Sequence, residues 1–178
     1  MQLVPLHTDR LIDLAAGWLG EERNYRWLDF GGEQRIGALA LKVMAHKASH
    51  AIRVFTSDDG DAPIGVVGLS NMNADFRTGV LWTVLGERRY SAKGYAHRAS
   101  AAMLTLGFDE CGLECINAWA VECNYASLRA LRRLHFRPIG RQRRCHYIDG
   151  NPFDRLWFDL LASEHREKNS DYGRAIAQ

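Results

Sequence analysis

The sequence predicts an α+β (α/β) domain with a mixed, mostly antiparallel central sheet of six to seven strands flanked by helices. Three observations lead there. Near residue 51 the apolar period changes from near-helical spacing to short β-branched runs separated by Asp, Gly and Pro. The run Val80-Leu81-Trp82-Thr83-Val84-Leu85 is followed by a basic, small-residue loop and then by a helix-compatible stretch reaching about Cys111. Asp149-Gly150, between two extended runs, is a hairpin signal.

In chain order, Leu3 to Arg10 reads as extended and Leu11 to Leu19 as a helix with Asp9 at its N-cap. Glu21 to Phe30 is polar but carries Tyr25, Trp27 and Phe30, and Gly31-Gly32 breaks it. Arg35 to His46 sets Ile36, Leu39, Ala40, Val43 and Met44 on one helical face. Ala51 to Thr56, Ile64 to Ser70 and Thr78 to Leu85 read as three antiparallel strands, the first two joined by the turn Ser57 to Pro63. The helix from about Gly94 turns Ala99, Ala102, Met103 and Leu106 inward, and Gly112 stands where a C′ glycine belongs. Cys115 to Val121 is the next strand, and strand–helix–strand favours a parallel crossover. Asn124 suits the N-cap of a short helix lined by Leu128, Leu131 and Leu134. Phe136 to Ile139 and Arg141 to Ile148 are extended, and Arg155 to Leu161 closes the sheet. Glu164 to Gln178 is polar and without period, so the reading is one domain over 1–163 and a frayed tail over 164–178.

A formal net charge of +2 makes no bulk case for a nucleic-acid partner. No apolar run reaches the roughly 20 residues that span a bilayer, and Met1 to Arg10 lacks the core of a signal peptide, so a cytoplasmic location is expected. The cysteines Cys111, Cys115, Cys123 and Cys145 form no Cys-x-x-Cys pair, and Cys145-His146 lacks partners at ligand spacing. They read as reduced, buried structural thiols, with no metal site.

The loop Gly86 to Ala96 carries the first chemical signal. A helix start presents unpaired amides and partial positive charge, small residues let a ligand approach the backbone, and Lys93 adds a cation. That combination suits a pyrophosphate, although a glycine here also serves a plain tight turn. No Gly-Lys-Ser/Thr closes the loop, which excludes a Walker loop, and a third glycine is missing for a dinucleotide fingerprint.

The frame Ser91-Ala92-Lys93-Gly94-Tyr95-Ala96 resembles the acyl-CoA pyrophosphate loop of the GNAT acyltransferase superfamily, with Ser91 where Arg or Gln is usual. The block Asn124-x-x-Ser127, Leu131-x-x-Leu134-His135-Phe136 and Gly140 resembles the second conserved block of that superfamily, with His135 in place of a glycine. If that position is left-handed, His costs about 1 kcal/mol over Gly. Asp149-Gly150-x-x-x-Asp154 and the following strand are similar to the closing hairpin of the ribosomal-protein (Rim-type) N-acetyltransferases. The resemblance covers about Ile64 to Leu161. The loop from Leu85 to Tyr90 is one residue longer than usual, and Leu131 stands where many members carry an acidic tyrosine.

The resemblance implies two central strands that splay apart, acetyl-CoA as co-substrate between them, and direct transfer of acetyl to a primary amine. It assigns the pantetheine to the backbone of Val84, Leu85 and Gly86, and the phosphates to Ser91, Ala92, Lys93, Gly94, Tyr95, Ala96 and the amide of His97. Asn124 orders its helix and faces pantetheine. Ser127 either meets the departing thiolate or only caps the helix. Glu122, Glu87 and Asp75 are the candidate bases. Tyr25, Trp27 and Phe30 either wall the acceptor site or pack in the core. The cluster Arg129, Arg132, Arg133, Arg137, Arg141, Arg143 and Arg144 is a solvated face, a 3′-phosphate contact, or a site for an acidic acceptor or RNA. A peptide or protein α-amine is favoured over a small polyamine, because acids are sparse in the aromatic segment. A weak acyl-CoA-binding module and a ribosome-associated protein are the alternatives, and a homodimer is compatible with the reading.

Overall fold

The β-branched runs that interrupt the helical pattern align into one seven-stranded sheet in the order β1-β2-β3-β4-β5-β7-β6. The strands are β1 Leu3–Pro5, β2 Ala51–Thr56, β3 Pro63–Asn73, β4 Thr78–Leu85, β5 Cys115–Val121, β6 Arg137–Ile148 and β7 Asn151–Leu161. The helices are α1 Asp9–Gly20, α2 Glu22–Tyr25, α3 Ala38–Ala45, α4 Tyr95–Thr105 and α5 Tyr125–Arg133. A computed structural model supplies these coordinates and describes residues 1–30, 35–59 and 61–167. Gly31-Gly32, Gly60 and the tail from residue 168 lie outside the described residues.

All neighbouring strands are antiparallel except β4 and β5, which run parallel. That pair is joined through α4, as the crossover expectation requires. Each sheet face has its own core. One gathers Leu69, Leu81, Ala118 and Leu160 against Ala99, Met103 and Leu104 of α4 and Leu128 and Leu131 of α5. The other gathers Ile52, Val54, Val66 and Val84 against Ile12, Ala15, Trp18 and Leu19 of α1 and Leu41 of α3. Side chains such as Phe55, Leu19 and Leu41 are fully buried, each contributing about 1.5–3 kcal/mol.

Several element ends differ from the sequence reading. Thr8, not Asp9, caps α1, its Oγ1 accepting the Leu11 amide at 3.4 Å, while Asp9 joins the first turn and pairs with Lys42 at 2.7 Å. α3 begins only after Gly37, and the face expected inward is wrong, since Leu39 and Val43 are 78% and 50% exposed. The stripe of Ala38, Leu41, Met44 and Ala45 has the same spacing and meets the core instead. In α4 it is Leu104 that is fully buried, with Leu106 and Ala102 only partly so. β6 runs unbroken, absorbing its irregularities as bulges at 138–140 and 142–146, and β7 starts four residues earlier than expected. Residues 162–167 are helical rather than frayed, with Glu164 paired to Arg137 at 2.7 Å and Arg166 to Asp109 at 3.1 Å. The cysteines are free, but none is buried and Cys111 is exposed.

Other local readings hold. Asn124 Oδ1 accepts the Ser127 amide at 3.2 Å, so Asn124 does cap α5. His135 has φ +65°, the left-handed conformation that would favour glycine. Asp149 and Gly150, at φ +50° and +78°, turn the β6–β7 hairpin.

Candidate active site

The parallel pairing of β4 with β5 covers only Thr78 to Val80 against Cys115 to Asn117. Beyond it the strands part, and a cavity of about 420 Å³ opens between them. Side-chain alternation sends the cavity through the sheet. Leu81, Thr83 and Leu85 face α4, Thr83 Oγ1 sharing a 2.7 Å hydrogen bond with Ser100 Oγ, whereas Trp82 and Val84 face α1.

The hydrogen bonds of β4 decide which amides the gap receives. Gly86 and Glu87 both donate to Ile64 O at 2.9 Å, which is a β-bulge. It accommodates an extra residue where the loop from Leu85 to Tyr90 is long. Because Gly86 points toward β3, alternation turns the Leu85 and Thr83 amides toward the gap, while the Leu81 amide closes the parallel pairing with Asn117. Gly86 therefore does not suit the pantetheine role: its N–H is spent on Ile64 and its carbonyl accepts Arg23 Nη2 at 2.6 Å. Its glycine has another cause, since a Cβ would lie 2.1 Å from the Trp18 ring. Val84 has its amide on the β3 side too, and contributes to the cavity through its side chain.

The loop from Ser91 to Ala96 has the form a main-chain anion site needs. Gly94 has φ +80° with open space where a Cβ would stand, and no side chain caps α4. The first intrahelical bond is Arg98 N to Gly94 O at 3.0 Å, which leaves the amides of Gly94, Tyr95, Ala96 and His97 without helical partners. Ser91, Ala92, Lys93 and Gly94 are exposed, Ala92 at φ +61°, and Lys93 Nζ lies 5.3 Å from the Tyr90 ring. The Tyr95 side chain is core, its hydroxyl accepting the Asp58 amide at 3.2 Å, so only its main chain is offered. Of this loop, Ala96 reaches the cavity wall. Burial, then the charges of Arg133 and His135, hold the His97 imidazole below its ordinary pKa. Acetyl-CoA fits this donor set: an open strand edge continuous with uncapped amides and a cation.

Asn124 and Ser127 both line the cavity, the Ser127 amide taken by the cap and its hydroxyl bonded to nothing among the described residues. Leu131 lines it too, so no phenol is present at that wall. The three candidate bases lie elsewhere. Glu122 is turned to the hairpin, accepting the Asp154 amide at 3.0 Å and Arg141 Nη1 at 3.3 Å. Glu87 accepts Trp18 Nε1 at 3.3 Å beside the bulge, and Asp75 is exposed in the β3–β4 turn, at the closed end of the splay. Glu122 is therefore not placed to act as general base: its carboxylate is engaged and outside the cavity.

On the acceptor side Trp27 and Phe30 line the cavity, but Tyr25 does not; its hydroxyl accepts Arg35 Nη2 at 2.8 Å. Three residues missed by sequence reasoning complete that wall: Trp82, Trp119 and Asp29. Trp82 packs edge-on to Phe30 with centroids 5.3 Å apart. Asp29, between two aromatic residues in the sequence, carried the signal of a carboxylate in an apolar stretch. The arginine cluster is spread over exposed α5 and β6 positions, Arg137 and Arg141 within ion pairs.

Solved structures share this architecture. A point variant of the spermidine N-acetyltransferase SpeG from Vibrio cholerae matches with TM-score 0.81 at 18% identity, covering 95% of this chain and 99% of that one. A second SpeG variant from Vibrio cholerae gives 0.80 at 18%, covering 94% and 97%. A chimera of Vibrio cholerae SpeG with hSSAT gives 0.79 at 16%, covering 94% and 99%. No curated protein matches the chain. A splayed mixed sheet with these relatives defines a GNAT-type fold. The family model described as the acetyltransferase (GNAT) domain matches residues 1–137, and the chain belongs to that family. It is an acyl-CoA-dependent N-acetyltransferase with acetyl-CoA as co-substrate. Among the described residues no helix is long and apolar enough to cross a membrane.

Proposed function

We propose that the chain moves an acetyl group from acetyl-CoA to a primary amine by direct attack in a ternary complex, the amine being a peptide or protein α-amine or a small amine. The observation that carries this reading is the cavity through the sheet, which offers main-chain donors on the α4 face and aromatic walls on the other. Acetyl-CoA supplies the thioester. The open amides of Thr83 and Leu85 are the donors for its carbonyl and pantetheine oxygens. The amides over 94–97, with Lys93, are the donors for its phosphates. The Ser127 hydroxyl stands as hydrogen-bond partner for the departing sulfur.

With Glu122, Glu87 and Asp75 away from the cavity, the acceptor is best served by arriving partly neutral. An α-amine, with a pKa near 7.7–8.0, does so more readily than a lysine-like amine near 10.4. The closing hairpin's likeness to the Rim-type branch points the same way. The SpeG relatives are named for spermidine, but at 16–18% identity they bring only a fold. Calorimetry with acetyl-CoA, followed by thiol release with free and blocked peptides, amino sugars and spermidine, tests the reading. Tight acetyl-CoA binding without thiol release from any amine would leave a binding module, as the Leu131 wall would allow.

A further inference from the structure

Asp29 is the one carboxylate among the described residues that line the cavity, and the fold holds it firmly. Arg155 Nη1 pairs with Asp29 Oδ2 at 2.7 Å, the two side chains 12% and 28% exposed. The same guanidinium donates from Nε and Nη2 to His146 Nδ1 at 3.2 and 3.0 Å, and lies 4.1 Å from the Trp119 ring centroid. A guanidinium cannot accept, so His146 Nδ1 must be the acceptor and its proton sits on Nε2. That N–H meets Arg26 O at 2.7 Å. The turn 26–29 is thus gripped twice, through the Arg26 carbonyl and the Asp29 carboxylate, by a buried His–Arg pair from β6 and β7.

Around Asp29 the wall is aromatic: Trp27, Phe30, Trp82 and Trp119. Ring faces attract a cation, and a carboxylate can accept from several donors at once. Arg155 already neutralises Asp29, so the pair carries no net charge: the carboxylate keeps acceptor capacity for one amine and offers no surplus charge to a second or third ammonium. Further charges of a polyamine would be desolvated against indole and phenyl surface without a partner.

We propose that Asp29 is the residue that contacts the acceptor amine, that Arg155 and His146 are its positioning residues, and that the cavity selects a primary monoamine on an apolar or aromatic body over a polyamine. This rests on the acetyl-transfer reading above. The test is steady-state kinetics with phenethylamine, a phenylalanine-initiated dipeptide amide and spermidine, on the wild type and on Asp29→Asn, Asp29→Glu and His146→Gln. The wild type should show a KM for the apolar monoamines at least tenfold below that for spermidine. Asp29→Asn should raise the monoamine KM at least tenfold while calorimetric acetyl-CoA affinity stays within twofold, and Asp29→Glu should recover part of the loss. His146→Gln should raise the same KM by a smaller factor with kcat retained. A preference for spermidine, or a monoamine KM unmoved in Asp29→Asn, overturns the proposal. If Asp29→Asn does not fold, Asp29→Glu decides: an unchanged monoamine KM overturns it and a raised one supports it. Acetyl-CoA binding with no thiol release from any amine removes the acetyl-transfer reading and this one with it.

Discussion

The two mouths of the cavity are made of different material. On the α4 side the groups offered to the proposed donor are main chain, the open edge of β4 and the uncapped start of α4. On the other side the groups are side chains from distant stretches, Trp27 to Phe30, Trp82 and Trp119, with Asp29 held from behind by Arg155 and His146. A surface made of backbone is set by the fold and survives most side-chain changes. A surface made of side chains is set by packing, so each substitution remodels it. Recognition of the donor is accordingly conservative, and recognition of the acceptor is open to tuning.

That contrast can be broken most directly at Gly94. Gly94→Val forces a β-branched residue to φ +80°, a cost above 1–2 kcal/mol, and should weaken acetyl-CoA binding more than about thirtyfold by calorimetry. Lys93→Ala, which removes only an exposed cation, should cost no more than about fivefold. The reverse ranking would mean that side chains, not backbone, hold the donor. Next in size is Gly86→Ala, whose Cβ collides with Trp18 and should cost about 1–3 kcal/mol. At about 2–4 °C per kcal/mol, a melting curve will register it.

Ser127→Ala sharpens the contrast, because Ser127 is the side chain assigned work on the backbone-built side. Loss of a hydrogen bond to a developing charge, about 1.5 kcal/mol or more, should lower kcat about tenfold with acetyl-CoA affinity and melting temperature little changed. A parallel fall in stability would mean that the change acts through the packing of α5 and not on the departing thiolate. The smallest effect concerns His146. Burial first, then Arg155, lower its pKa, while the Arg26 carbonyl and Asp29 oppose that shift. The unfolded chain therefore binds more protons between the folded pKa and about 6.5, so stability is lost as pH falls below about 6.5. The melting temperature of the wild type should drop more between pH 7 and pH 5 than that of His146→Gln.

The same contrast explains how much of the molecule was legible beforehand. β2, β4, β5 and the Asn124 cap were readable because period, branching and capping act over a few residues. The left-handed Gly94 at the start of α4 was readable for the same reason, since the glycine and the helix start are neighbours in the chain. Glu122 was misplaced because proximity to the Asn124 block says nothing of which way a strand end turns its side chain, and here it turns to Arg141 and Asp154. Asp29, Trp82 and Trp119 converge only after the sheet forms, so no local pattern brings them together. The α3 face failed for a different reason: two stripes with helical spacing competed, and tertiary packing chose the one with Leu41.

The parting of β4 from β5 has one more consequence. It gives the sheet two further edges, one on β4 and one on β5, hidden inside the molecule, besides the two at its rim. An unpaired strand edge invites other chains to add to it, and proteins defend such edges against aggregation. β6, at the rim, carries exposed Arg141, Arg143 and Arg144 and two bulges, features of the kind that discourage edge-to-edge pairing. The inner edge of β4 carries no charge along Leu81 to Leu85 and is protected by enclosure between α4 and the aromatic wall.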